Sequence, residues 1–395
     1  MATPHLLRSI NETRVLQLLL ERGPRSRADI ARDLQVTRST ASALVAGLVE
    51  RGLLLETEET GDAERIGRPG FVLKLNGLSR IFIGVDIAVS ELRLIALDLG
   101  ANLIASLTIP YVEPTTPDYV VGLVREGFDR LMDDNQLDRG AIEGIGVAIP
   151  GLVENDGLIV FAPILNWRNI DIKSMLVGVF DHSIPLHFDN DANACAVSEG
   201  YRKSGKRDGT LAFLLMDSGV GLGILHQGQV FRGQEGLAGE FGHNRFHATL
   251  GDEGEMPHSP TFEETVGREA VLRLCSKHKV RVKSLRDFVE LAKSGDDAAL
   301  EVFDIWAQRL ALGMANLCMI LNPEEIVVGG KTAALFSINP KRVYDHANRH
   351  FRFMFKTPVL RASDLGVLAA SVGVASTIHR QSFTLPSNTD QILSA

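Results

Sequence analysis

Residues 26–52 read SRADIARDLQVTRSTASALVAGLVERG, and this stretch decides the fold of the N-terminal part of the chain. Ser26 is a good helix cap, and the apolar spacing that follows it predicts a short helix over residues 27–34. The corner at residues 35–37 is too short for anything but a tight turn. A further helix is predicted from about Ser39 to Arg51, so the spacing is that of a helix-turn-helix.

The flanking sequence completes a winged helix-turn-helix. Asn11 is predicted to cap a first helix that ends at Gly23-Pro24, a strong stop signal. On the other side, the apolar residues 53–55 and the strand-like residues 71–75 predict a β-hairpin wing. The tip between them, residues 56–65, is polar and acidic, which is a feature unfavourable to DNA binding.

Small polar side chains and one arginine lie near the start of the third helix, where a recognition helix reads base edges. The expected DNA-binding residues there are Thr37, Arg38, Ser39, Thr40 and Ser42. In the wing, Gly67-Arg68-Pro69-Gly70 favours an extended backbone, so Arg68 is expected in a minor groove with help from Arg65. Short helices and glycine turns also occur without DNA, but the joint order of the parts favours a DNA-binding module.

Charge is distributed unevenly along the 395 residues, whose net charge is −8. Residues 1–80 hold 12 Lys+Arg and 10 Asp+Glu, a net charge of +2, so the basic end is the one predicted to bind DNA. Apolar runs do not approach the roughly 18 uncharged residues of a membrane helix, and no signal peptide is recognisable. We therefore expect a multidomain cytoplasmic protein that does not contact membranes.

The remaining sequence has the rhythm of an α/β fold. Strands joined by tight turns are predicted over 81–87, 92–98 and 99–104, followed by strands that alternate with helices. The later strands are expected at 144–149 and 210–216, and the helices at 119–132 and 192–202. The three cysteines, Cys195, Cys275 and Cys318, are far apart with apolar neighbours, which predicts buried thiols and not disulfides or a metal site.

Six motifs in a fixed order resemble those of the ROK family of repressors and sugar kinases. The resemblance covers nearly the whole chain; the third and fifth motifs are specific in combination, whereas the glycine loops alone would be weak evidence. The motifs are Gly84-Val85-Asp86-Ile87, Ile149-Pro150-Gly151, Asp189-Asn190-Asp191-Ala192-Asn193-Ala194, Gly219-Val220-Gly221-Leu222-Gly223, Ala238-Gly239-Glu240-Phe241-Gly242-His243 and Asn322 to Gly330.

The resemblance implies the fold class and the domain boundaries. The class is α/β, with an N-terminal winged helix-turn-helix followed by a two-lobed, ROK sugar-kinase-like domain of the actin/hexokinase type. The DNA-binding domain is expected at 1–77 and the ligand-sensing domain at 78–395. Within the latter, lobe one comprises about 78–189 plus 367–382, and lobe two about 190–366.

The resemblance also implies a sugar site between the lobes. The side chains of this site are carboxylates, amides and an imidazole, which can donate hydrogen bonds to sugar hydroxyls or accept hydrogen bonds from them. For Asp191 alone, a helix-capping role is an equally good explanation. The expected ligand-binding residues are Asn190, Asp191, Glu240, His243, Glu263, Asn166 and Gly151.

Two departures from the family pattern argue against catalysis. Kinases of the family have Asp-x-Gly-Gly-Thr at the first phosphate loop, whereas this chain has Asp86-Ile87-Ala88-Val89-Ser90. Side chains at Ala88 and Val89 crowd the approach of phosphate, and the second loop starts with the carboxylate of Asp217. We therefore expect no ATP, no other cofactor and no catalytic residue, and Asp191 would serve recognition alone.

This chain also departs from the family pattern at the zinc loop. Gly254, Met256 and Thr261 stand where the family has its cysteines, so we expect no metal, although His243 with His247 and His258 leaves an unusual site conceivable.

The sequence thus predicts a sugar-responsive repressor. Its expected partners are a double-stranded DNA operator with an inverted repeat, a sugar or sugar derivative, and further copies in a homodimer or homotetramer. Two alternatives stay open: a sugar kinase with a DNA-binding appendage, and a regulator controlled by a protein partner.

Overall fold

The computed structural model describes residues 4–58, 71–111, 115–154, 156–202, 209–245, 260–351 and 357–384. The N-terminal part, up to residue 75, has three helices and a small antiparallel sheet of order β1-β3-β2. Its elements are α1 (Pro4–Arg22), β1 (Arg25–Ser26), α2 (Arg27–Asp33), α3 (Arg38–Glu50), β2 (Leu54–Thr57) and β3 (Val72–Leu75).

This architecture confirms the predicted winged helix-turn-helix, with one error at its start. Ser26 caps α2 by accepting a hydrogen bond from the Asp29 amide, and Thr37 caps α3 in the same way from Thr40. Asn11, however, lies inside α1 and does not begin it. The reason is that residues 5–21 contain no glycine or proline, so nothing stops the helix from extending back to Pro4.

The first half of the large domain is built on a five-stranded sheet of order β11-β7-β4-β5-β6. Its first three strands in chain order form the predicted antiparallel meander, and β7 and β11 add to it in parallel. The third strand was wrongly bounded at 99–104: residues 99–102 form the turn after β5, with Ala101 at φ 59°, and the strand runs over 103–110. The elements are β4 (Ile81–Ile87), β5 (Glu91–Asp98), β6 (Leu103–Pro110), α4 (Pro117–Asp134), β7 (Ile142–Ile149), β8 (Leu152–Val153), β9 (Leu158–Ala162), β10 (Trp167–Asp171), α5 (Ile172–Val177), β11 (Leu186–Asn190) and α6 (Asp191–Arg202).

The second half repeats this topology in a sheet of order β14-β13-β12-β15-β16. Three antiparallel strands again come first, and two parallel strands again extend the sheet on the side of the first strand. The elements are β12 (Thr210–Met216), β13 (Val220–His226), β14 (Gln229–Val230), α7 (Phe262–Val266), α8 (Arg268–Lys277), α9 (Leu285–Lys293), α10 (Asp297–Leu321), β15 (Glu325–Gly329), α11 (Pro340–His350), β16 (Val359–Ala362) and α12 (Ala369–Ser382).

Helices α6 and α12 connect the two sheets. α6 follows β11 of the first sheet but packs mainly against β12 and β13 of the second, while α12 follows β16 and packs against β4 and β7 of the first. The two helices also pack against each other, and Cys195 is buried between them and the sheets. Cys275 and Cys318 are buried within the second half, so all three thiols are buried and free, as predicted.

Candidate functional site

A cleft of about 360 Å³ lies between the two sheets, within the size range of small-ligand sites. It is lined by six of the seven residues predicted to bind sugar: Gly151, Asn190, Asp191, Glu240, His243 and Glu263. The seventh, Asn166, is exposed in a left-handed turn at φ 56° and does not line the cleft, although Pro163 and Ile164 of the same segment do.

The junction of β11 and α6 places Asn190 and Asp191 at the base of the cleft. β11 runs parallel to β7 with Asn190 beside Ile149, so both strands end at the same edge of the sheet. The Asn190 side chain donates to the carbonyl oxygen of Gly151 at 3.1 Å and accepts from the Ala192 amide at 2.9 Å. Asp191 Oδ1 also accepts from the Ala192 amide, at 2.8 Å. Both side chains therefore cap α6 while lining the cleft.

Carboxylates dominate the electrostatics of the cleft. Burial raises the pKa of Asp191 to about 8, and the negative charges of Asp86, Asp217 and Glu240 act in the same direction. At neutral pH Asp191 is therefore largely protonated and is able to donate a hydrogen bond as well as accept one.

The segment that carries Glu240 and His243 is held in place from both sides. Cβ atoms at Gly239 and Gly242 would lie 2.0 Å and 2.1 Å from carbonyl oxygens of β13, so only glycine allows this close approach. Upstream, Arg232 donates to both carboxylate oxygens of the buried Asp189, at 2.6 Å and 2.7 Å. This bidentate pair fixes the segment to β11, the strand that ends in Asn190.

Glu263 enters the cleft from α7. Its Oε2 atom accepts from the amide of Val220 at 2.9 Å, so α7 is attached to the glycine loop at the start of β13. Thr261 caps this helix in a capping box with Glu264. The residue that aligns with one of the family's zinc cysteines therefore stabilises the start of α7. Gly254, Met256, His247 and His258 lie outside the described residues.

Behind the cleft lies an ion cluster that the sequence did not reveal. Arg93, only 4% exposed, donates to Asp86 at 2.7 Å and to Glu91, and approaches Asp217 at 3.7 Å. Lys331 adds an ion pair with Glu91 at 3.2 Å. The pKa of Asp86 is raised to about 6, because burial outweighs the influence of Arg93. The one available signal was an arginine inside the apolar run of β5.

This cluster joins the two halves of the domain. Asp86, Glu91 and Arg93 belong to the first sheet, whereas Asp217 and Lys331 follow strands of the second. Ala88 and Val89, in the loop after β4, line the cleft directly in front of it. The guanidinium of Arg93 thus bridges Asp86, at the end of β4, and Asp217, in the loop after β12.

The predicted DNA-binding residues on the third helix lie on its outer side. Arg38, Ser39 and Thr40 are exposed at its first turn, and Ser42 is partly buried. The hydroxyl of Thr37 is already bonded to the hydroxyls of Ser39 and Thr40, at 2.9 Å and 2.8 Å. Arg65 and Arg68 of the wing lie outside the described residues.

Two further residues on that face were missed by sequence reasoning. Ala43 and Ala46 are exposed one and two turns after Ser39, so their methyl groups lie on the same face of α3 as the exposed polar residues. Alanine is small enough for close approach to a groove and contacts thymine methyl groups in known complexes. The apolar character of alanine concealed them among the helix's core residues.

The DNA-binding module packs directly on the large domain. Its core, including Val15, Leu48 and Leu73, is continuous with Leu97 of β5 and with Phe383, just after α12. The side-chain amide of Gln17 donates to the carbonyl oxygen of Phe383 at 2.7 Å.

Next to this contact, the end of α6 meets the end of α12. Tyr201 of α6 forms a short hydrogen bond with Nδ1 of the buried His379, and Nε2 of His379 bonds the carbonyl oxygen of Leu99 at 2.9 Å. The His379 ring stacks on Phe383, with centroids 4.7 Å apart. Helix α6 therefore begins in the cleft at Asp191 and ends beside the residues that support the DNA-binding module.

Comparisons with known proteins match both parts of the chain. The model described as "ROK family" matches residues 82–381, and the model described as "MarR family" matches residues 8–66. No helix among the described residues is long and apolar enough to cross a membrane.

Individual relatives include regulators and a kinase. The xylose repressor of Bacillus spizizenii is 25% identical over 385 residues, covering 94% of this chain and 95% of that protein. The glucokinase of Halalkalibacterium halodurans is 27% identical over 270 residues, covering 64% of this chain and 80% of that protein. A crystal structure described as a ROK family transcriptional regulator, a homologue of the E. coli MLC protein, superposes with a TM-score of 0.73 at 22% identity, covering 95% of this chain and 97% of that one.

Proposed function

Because the chain belongs to the ROK family, whose model matches residues 82–381, we propose that it is a sugar-responsive transcriptional repressor. A sugar or sugar derivative binds in the cleft and changes the affinity of the winged helix for its operator. The full-length similarity to a xylose repressor, DNA-binding module included, supports this proposal.

The observation that carries the proposal is the path of α6. Asp191 opens this helix in the cleft, and Tyr201 near its other end bonds His379, whose ring stacks on Phe383. A ligand that contacts Asn190 and Asp191 thus acts on a rigid element whose far end supports the DNA-binding module. A ligand shifts the equilibrium between orientations of the DNA-binding module by the difference between its binding free energies for these orientations.

The proposal includes the absence of enzymatic activity. Ala88 and Val89 occupy the phosphate loop, and the guanidinium of Arg93 with its carboxylates bridges the two loops behind it. ATP would meet Asp86, Glu91 and Asp217 there, and the like charges repel. The kinase alternative is motivated by the similarity to a glucokinase, and phosphoryl transfer from ATP to a panel of sugars tests it directly. Turnover that Asp191→Asn abolishes would establish the kinase.

We assign residues 1–77 to DNA binding and 78–395 to sensing, with lobe one at about 78–189 plus 367–382 and lobe two at about 190–366. The sugar-contacting residues would be Asn190, Asp191, Glu240, His243, Glu263 and Gly151, all of which line the cleft. We place the protein in the cytoplasm as a two-fold oligomer on an inverted repeat, because two winged helices on one duplex require matched half-sites.

The test is operator affinity, measured by fluorescence anisotropy at fixed salt with and without each sugar of a panel. We expect at least one sugar to change the dissociation constant several-fold, and Asp191→Asn and Glu240→Gln to abolish that change while leaving affinity without sugar intact. Asp134→Asn, an exposed carboxyl on α4, is the matched control and should respond like the wild type. An operator affinity that ignores every sugar and both cleft variants would refute the proposal.

A further inference from the structure

The charges lining the cleft are almost all negative. Asp191, Asp217, Glu240 and Glu263 line it, whereas no lysine or arginine does among the described residues. The single imidazole of the lining, His243, lies 3.5 Å from Glu240.

Cations near the cleft are already paired. Arg93 and Lys331 bond the carboxylates of Asp86 and Glu91, and Arg232 bonds Asp189 with both of its terminal nitrogens. Arg168, on β10, lies 4.4 Å above the ring of Phe161, on an exposed strand at the edge of the cleft. Releasing Arg93 or Arg232 toward a ligand would leave a buried carboxylate, Asp86 or Asp189, without its charged partner.

Backbone amides that commonly bind phosphate are also occupied. The start of α6 is a potential anion site, but its first amides donate to Asn190 and Asp191: Ala192 to both side chains and Asn193 to Asn190 at 3.2 Å. In the glycine loop before β13, the amide of Val220 donates to Glu263. The amides of Ala192, Asn193 and Val220 therefore already donate to the protein's own oxygen atoms.

From these three observations we infer that the cleft selects an unphosphorylated sugar, neutral or carrying a protonated amine, and rejects sugar phosphates and acidic sugars. This inference rests on the proposed function and specifies its ligand. Carboxylates and Asn190 pair well with hydroxyl and ammonium donors, whereas a phosphate dianion would face the carboxylates of Asp217, Glu240 and Glu263 with no lysine or arginine among the described lining residues. The surroundings of Asp191 favour its protonated form, which is compatible with a neutral ligand. An anionic ligand would favour the protonated form further.

The test compares each sugar with its own phosphate on the full-length protein. Isothermal titration calorimetry is performed with D-xylose, D-glucose, N-acetyl-D-glucosamine and D-glucosamine, and with D-xylose 1-phosphate and the 6-phosphates of the last three. We expect at least one unphosphorylated sugar to bind and its phosphate to bind at least about 100-fold more weakly. The difference in affinity between a sugar and its phosphate should shrink as the salt concentration is raised, because screening weakens the repulsion of the phosphate. The affinity for the neutral sugar should change little.

A charge variant supplies the second readout. Asp217→Asn removes one negative charge of the lining without touching the residues assigned to sugar contact, so it should reduce the discrimination against the phosphate by several-fold. Asp181→Asn, an exposed carboxyl far from the lining residues, should leave the ratio unchanged. Thermal unfolding of both variants verifies that they are folded.

Operator anisotropy in the same samples separates the two levels. If a phosphate binds as tightly as its parent sugar or more tightly, and shifts operator affinity, the inference about charge is overturned while the repressor function stands. If neither a sugar nor a phosphate binds or shifts operator affinity, the proposed function falls and the inference falls with it.

Discussion

The side-chain amide of Gln17, in the first helix of the DNA-binding module, donates a 2.7 Å hydrogen bond to the carbonyl oxygen of Phe383, directly after the last helix of the large domain. These residues are 366 positions apart in the chain. The same carbonyl belongs to the residue whose ring stacks on His379, so the bond links the module to the ends of both α6 and α12. It lies beside an apolar cluster that both parts of the chain share.

Replacing Gln17 with alanine should therefore weaken the coupling of sugar to operator and leave sugar affinity unchanged. The lost bond costs about 1 kcal/mol of docking free energy, which would alter the sugar-induced change in operator affinity by about five-fold. Calorimetry and anisotropy measure the two quantities on one preparation. Glu21→Ala, four residues further along the same helix and exposed, is the matched control. An unchanged sugar effect in Gln17→Ala would show that this bond does not transmit the signal.

The ion cluster behind the cleft predicts a large stability effect from a single charge. Arg93→Met leaves Asp86 buried without its 2.7 Å partner and should lower the free energy of unfolding by about 3–5 kcal/mol, as measured by urea denaturation. Arg139→Met is the control: this arginine also bonds two aspartates, but on the exposed surface, so its loss should cost less than about 1 kcal/mol.

Restoring neutrality supplies the second arm of that prediction. In the double variant Arg93→Met with Asp86→Asn, much of the loss should be recovered, because the buried carboxylate is gone. A single variant as stable as the wild type would mean that the cluster relaxes into solvent and does not hold the two halves together.

Much of this molecule follows from local patterns in the sequence. The third helix was predictable because its cap, its apolar spacing and Gly52 act over a few residues, and the predicted cleft residues followed from the resemblance of the motifs to those of the ROK family. The ion cluster around Arg93 could not be predicted, because its residues come from β4, β5 and the loops after β12 and β15. Their separation in the sequence does not show that they lie close together in the fold. Asn11 failed as a cap because capping preference is weaker than the continuity of a helix with no breaker.

Asn166 illustrates the limit of motif transfer. The segment 162–167 departs from the family's Pro-Asn-Leu, which leaves the sugar contact expected there either lost or supplied by Asn166. In the structure Asn166 closes a short turn at φ 56°, while Pro163 and Ile164 line the cleft. Asparagine tolerates the left-handed conformation better than most residues, and this backbone demand explains its presence without any ligand.

Asp191 predicts a specific pH dependence of stability. Its pKa is about 8 in the folded protein, above its ordinary value of 3.8, so between these values the folded state binds more protons than the unfolded state. This carboxyl therefore contributes a loss of stability as pH rises from about 4 to about 8, and nothing further above that. Asp191→Asn mimics the protonated form and lacks this loss.

The melting temperature of Asp191→Asn minus that of the wild type should accordingly increase from about pH 5 to about pH 8, measured without ligand by differential scanning calorimetry. Asp134→Asn, at an exposed position, should show a constant difference. A difference that stays flat or decreases with pH would show that Asp191 is ionised throughout this range in the folded protein.

Arg38 provides a test of the DNA-binding face. It is exposed at the first turn of α3, next to Ser39 and Thr40, where a side chain reaches the phosphates at the rim of the major groove. Each phosphate contact that is lost lowers the slope of log affinity against log salt by about 0.9. Arg38→Ala should therefore weaken operator binding at low salt and flatten that slope by about one, with similar losses on operator and on unrelated DNA. Lys341→Ala removes an equally exposed positive charge on α11 and should change neither quantity. If Arg38→Ala instead weakens binding to the operator alone and leaves the salt slope intact, Arg38 contacts a base and not a phosphate.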